Sequence, residues 1–163
     1  MANKKSFAIG VLLIIFLPLC LNTSLDNWNS SIRVANMHLA KGIEYYNICS
    51  NAYTIKDMDN VTVYADRAID EFSITLIALN NAMKQAQKSK KDWLIAYTDY
   101  YIKKVKALNN AAVEIKILKE YYINEQEDGI VQSLEIIRQN EEEFKVNELK
   151  MESIKRDHIS EFD

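Results

Sequence analysis

Chemistry in this chain would have to come from two histidines, His38 and His158, two cysteines, Cys20 and Cys49, and nine tyrosines. A di-iron bundle needs two Glu-x-x-His motifs, and the chain has none. Haem attachment through Cys-x-x-Cys-His fails because the cysteines stand far apart. Phosphate loops, dinucleotide fingerprints, the nucleophile elbow and zinc-type Cys/His pairs are also missing. Nothing in the spacing sets a base beside a nucleophile, so the sequence reads as a non-enzyme. The tyrosines are paired three times, as Tyr45-Tyr46, Tyr100-Tyr101 and Tyr121-Tyr122. In a helix the two members of each pair are about 100° apart. That arrangement suits an aromatic ligand pocket or partner face, or rings packed at layer edges with the hydroxyls wet.

The elements that must position these groups are helices. One Pro and three Gly in 163 residues cannot supply the turns of a sheet protein. Trp28, Ile32, Ala35, Leu39, Gly42, Tyr46, Cys49 and Tyr53 recur at spacings of four and three, a continuous seam. Val61, Ala65, Ala68, Phe72, Thr75, Leu79, Ala82 and Ala86 form a second, widened by Ile69, Leu76 and Met83. Leu94, Tyr97, Tyr101, Leu108, Ala111, Ile115, Leu118 and Tyr122 form a third, interrupted by Lys104. Ile130, Leu134, Ile137 and Phe144 begin a fourth, which weakens where Glu141 and Glu148 fall on it and continues through Leu149, Met151, Ile154 and Phe162. Asp57, Asp59 or Asn60 caps the second helix, Ser89 with Asp92 caps the third, and Asp128-Gly129 marks the last turn. The expectation is an all-α, up-down-up-down four-helix bundle, with helices at about 26–53, 58–87, 90–124 and 129–162. Trp28, Leu39, Phe72, Leu79, Leu108 and Ile115 are its foremost core positions, and Cys49 is a buried small residue.

With Met37 and His38 on the first helix and His158 on the fourth, the chain resembles exported haem bundles of the cytochrome b562 family. That resemblance implies Met37, His38 and His158 as candidate cofactor-binding residues. Composition and spacing by themselves imply no cofactor and no metal. The topology is also similar to extracytoplasmic four-helix ligand domains. Those of chemoreceptors carry a second membrane span after the fourth helix, which is not found before Asp163.

Lys4 and Lys5 precede an apolar run at residues 7–21. The run is short of the roughly 20 residues a spanning helix needs and suits a signal-peptide core. Positive charges ahead of it hold the N-terminus in the cytoplasm and send the rest outward. Leu17-Pro18-Leu19-Cys20 resembles a bacterial lipobox, with Leu19 where that pattern has a small residue, and makes Cys20 a lipidation candidate. Three fates stay open: lipidation at Cys20, an uncleaved short anchor, or cleavage near Thr23. Residues 1–25 are thus a signal peptide or anchor, and 26–163 an exported bundle. Asn22, Asn29 and Asn60 stand in glycosylation sequons. Without Lys4 and Lys5, 18 basic residues face 23 acidic ones, a net charge of −5 that disfavours nucleic acid. Lys84, Lys88, Lys90 and Lys91 crowd the second turn, which topology puts at the membrane-proximal end, facing an acidic tail of Glu152, Asp157, Glu161 and Asp163. The expected function is a non-catalytic, exported or surface-anchored interaction bundle, monomeric or homodimeric. Its partners are the membrane and an unidentified protein. The alternative is an extracytoplasmic binder of a small ligand or haem-like cofactor.

Overall fold

The computed structural model describes residues 5–161, with side chains from residue 24 onward. It is all-helical: α1 (Lys5–Thr54), α2 (Met58–Ser89), α3 (Asp92–Ile123) and α4 (Glu127–Asp157), followed by a 3-10 turn at Ile159–Glu161. The side chains of the apolar run, Cys20 and Asn22, together with Phe162 and Asp163, lie outside what is described. Among the described residues no helix is long and apolar enough to cross a membrane.

Cross-helix bonds fix the directions. His38 on α1 meets Glu71 on α2, and the Cys49 thiol donates to the Val61 carbonyl, so α1 and α2 run antiparallel. Lys116 and Lys119 on α3 reach Asp66 and Thr62 on α2, again antiparallel. Glu114 pairs with Ser133 and Lys104 with Glu148, which reverses α4 against α3. Trp28 bonds Thr98 and Tyr101 bonds Asn36, so α1 and α3 are parallel. The chain therefore goes up, down, up and down. At 1.5 Å per residue its 32-residue helices are about 48 Å long.

The first three seams are the core. All six foremost positions are buried, and Phe72 and Leu79 are fully enclosed. Gly42 is there because Phe72 needs its space: a Cβ at 42 would sit 2.5 Å from the ring. The fourth seam keeps Ile130, Ile137, Phe144 and Met151 as expected, but its alternate positions fall one residue earlier. Leu134 and Leu149 are exposed, at 45% and 64%, whereas Ser133, Asn147 and Met151 are buried. The face turned inward runs through Ile130, Ser133, Ile137, Asn140, Phe144, Asn147 and Met151, alternating apolar and small polar residues. Asn140 and Asn147 turn their amides back onto the Ile136 and Glu143 carbonyls, which removes the penalty of an unbonded polar group. With so little apolar surface, α4 packs chiefly on α3 and meets α1 mainly through long side chains.

Two expected turns are corrected. Ser89 does not cap α3; it ends α2, its hydroxyl donating to the Ala86 carbonyl and accepting from the Lys91 amide. Lys90 then turns left-handed (φ 55°) and Lys91 takes the N-cap position without a side-chain bond. Asp128-Gly129 is not the last turn; that lies at residues 124–126, and Gly129 sits in the first turn of α4. A Cβ there would be 2.6 Å from the Tyr121 ring, so this glycine serves close helix approach. Each of the three turns contains a left-handed non-glycine residue, Lys56, Lys90 or Glu125. Asp57 caps α2 as expected, accepting from the Asn60 amide.

Candidate functional site

Two of the polar residues that break the expected seams, Lys104 and Glu148, meet in a cleft between α1, α3 and α4. Lys104 occupies a core position on α3, where an unpaired ammonium would be costly. Its Nζ lies 2.7 Å from Glu148 Oε1 on α4, with side-chain exposures of 11% and 42%. The Phe144 ring stands 4.8 Å away and the Tyr101 ring 5.8 Å, so the charge is also held over aromatic faces. Tyr101 donates to Asn36 Oδ1 at 2.5 Å, and burial pushes its phenol well above the ordinary value. The resulting cavity holds about 190 Å³ and is walled by Asn36, Tyr97, Tyr101, Lys104, Glu148 and Met151, with Glu152 and Lys155 at its rim. One heptad up, Tyr46 donates to Glu141 Oε1 at 2.8 Å. Burial first, and that carboxylate second, raise the Tyr46 phenol far above its usual range. Glu141 and Glu148 thus hold polar partners on α1 and α3. The sequence signals them only as interruptions of a seam.

The residues suggested for haem do not come together. Met37 is exposed on α1. His38 is turned to α2, its Nδ1 2.5 Å from Glu71 Oε2. His158 caps the end of α4 and stacks on the Trp93 ring with centroids 4.9 Å apart. The three residues stand apart, and no haem pocket is assembled from them. Among the described residues no cluster of His, Cys, Asp and Glu is arranged to hold a metal ion. Cys49 is buried, and burial raises its thiol to about 11. Asn29 is exposed on α1; Asn60 is exposed in the first turn of α2, with its side-chain amide on Asp57.

The two ends of the bundle differ. At one pole the 24–28 segment of α1, the second turn and the end of α4 meet. Lys91 is ion-paired with Glu161 and lies 5.5 Å over the Trp93 ring, so the basic turn and acidic tail do share this pole. Lys91 holds the Glu161 carboxyl below its ordinary value, with His158 helping. Among the described residues Lys84, Lys88 and Lys90 make no ion pair; each is exposed. At the other pole the first and third turns abut through Tyr53 and Tyr122, rings 6.2 Å apart, with Lys56 over Tyr122. Ile55 and Ile123 project from those turns, 75% and 53% exposed.

These features belong to a four-helix bundle with one charged pole, basic on its α2 side, and one apolar-tipped pole. Comparison with known families, characterised proteins and solved structures finds no match to this chain.

Proposed function

We propose that this chain is a non-catalytic interaction protein, exported and either anchored in or released from a membrane, whose bundle presents its far pole to a protein partner. Residues 1–25 act as signal peptide or short anchor, and 26–163 form the exported domain. The observation that carries this reading is the polarity of the bundle. The described core begins at Ser24, three residues after the apolar run ends at Leu21, so that run leads directly into the basic pole. The opposite pole exposes Ile55 and Ile123 beside a tyrosine pair, a composition suited to partner contact. Fractionation of cells expressing the full chain, with mass spectrometry of its N-terminus, tests the proposal. A membrane-bound form with an intact Met1 means an anchor, an acylated Cys20 a lipoprotein, and a terminus near residue 24 a released domain. An intact chain in the soluble cytoplasm contradicts all three.

A second reading, binding of a small polar ligand, is favoured by the cleft around Lys104. Both signs of charge line it, so it suits a small zwitterion rather than an apolar molecule. Native mass spectrometry of the purified full chain detects such a ligand as added mass. If the mass is lost in Lys104→Met, that places the ligand in the cleft.

A further inference from the structure

We infer that Lys84, Lys88 and Lys90 form a docking face for an anionic lipid bilayer; the inference rests on the tethered reading above. Lys84 and Lys88 are one helical turn apart on α2, and Lys90 follows in the left-handed turn. Like charges at that spacing repel, and among the described residues none of the three is ion-paired with a carboxylate. The dipole at the C-terminal end of α2 favours a cation in its last turn but does not account for Lys84, which lies further back. The pole also carries Asp26, Asp92, Glu152, Asp157 and Glu161. Glu161 is held by Lys91, and Glu152 and Asp157 belong to α4, which packs on α3 rather than on α2. Asp26 on α1 and Asp92 at the start of α3 remain, so on the α2 side three lysines stand against two carboxylates, a small excess of positive charge.

The position of that charge selects its partner. An apolar run ending at Leu21 brings the bilayer surface to within a few residues of Ser24, and Trp28 bonds Thr98 in the first turns of α3. The lysines are thus held at the level where headgroups would lie, inside the roughly 10 Å over which charge acts at 0.1 M salt. The Trp93–His158 stack and the exposed Ile159 stand at the same pole, the amphipathic groups a headgroup layer accepts. Each lysine near an anionic surface strengthens the attachment on the order of fivefold, so the three together contribute on the order of 100-fold.

The test is lysine acylation of the full chain reconstituted into two kinds of vesicle, phosphatidylcholine alone and phosphatidylcholine mixed with phosphatidylserine. Flotation first reports whether the chain is tethered at all. Peptide mass spectrometry then compares Lys84, Lys88 and Lys90 with Lys56, which lies at the far pole. On the mixed vesicles labelling of the three should fall on the order of tenfold while Lys56 is unchanged, and high salt should restore it. Equal labelling on both vesicle types, with the chain floating on both, overturns the docking face and leaves the tether standing. A chain that floats with neither overturns the tether, and the docking face with it.

Discussion

Gly42 and the three left-handed residues are where single side chains decide most. Replacing a helical Gly by Ala ordinarily gains up to about 1 kcal/mol of helix propensity. At Gly42 the added methyl would meet the Phe72 ring, which is fully enclosed and has no room to retreat. Gly42→Ala should therefore destabilise the bundle by roughly 1–3 kcal/mol, read by denaturant unfolding. A stabilised variant would show that the α1–α2 contact is looser than described. Lys56, Lys90 and Glu125 present the opposite case. Each adopts a positive φ that costs an L-residue about 1–2 kcal/mol and costs Gly little. Glu125→Gly should raise stability by about 1 kcal/mol, and a loss at that site would mean its side chain does work not visible in its contacts. These turns explain why the last two connections were poorly legible in the sequence. Their turn-forming residues are Lys and Glu, which carry no turn signal, while Gly129 serves packing.

At the level of helices, three of the four were legible because their apolar spacing and their burial coincide at nearly every seam position, the half-buried Tyr53, Tyr97 and Tyr122 apart. The fourth was legible in position but not in rotation. Its inward face carries Ser133, Asn140 and Asn147, which no hydrophobic pattern selects, and Leu134 and Leu149 draw the pattern one residue aside. The same cause hid the cleft. Lys104 and Glu148 could be seen as two interruptions, but that they meet depends on the rotation of α4. The pair gives a contrast between two variants. Glu148→Ala leaves the Lys104 ammonium in the core without its partner and should cost roughly 1–3 kcal/mol. Lys104→Met releases a carboxylate that is already 42% exposed to water, and should be neutral or stabilising. Equal losses in both would contradict the assignment of the buried cost to Lys104. The end of α4 should also respond to acid. Glu161 faces Lys91 and His158, and its folded pKa lies below the ordinary value, so its contribution is present above that ordinary value. It is lost as pH falls through the folded value. Hydrogen exchange at residues 154–161 should accelerate there before the first three helices open, and Glu161→Gln should remove the pH dependence.

The whole molecule is a bundle with two unlike ends. One end joins the apolar N-terminal run and carries the lysines; the other exposes Ile55 and Ile123. The order of the helices requires this arrangement, because α1 and α3 are parallel and both start at the end where α2 and α4 finish. The poles follow from the number and order of the helices, which were legible in the sequence, although the exact residues of the last two turns were not. Which side of a membrane the far pole occupies is the central claim. It is tested most directly by placing a cysteine at Ile55, where the side chain is open to solvent, in the full chain. Cys49 supplies little background, since it is enclosed and its thiol is raised to about 11. A membrane-impermeant maleimide applied to intact spheroplasts should label position 55 of Ile55→Cys strongly, read by peptide mass spectrometry so that Cys20 is scored separately. Labelling that appears only after the cells are lysed would put the bundle in the cytoplasm and contradict the account.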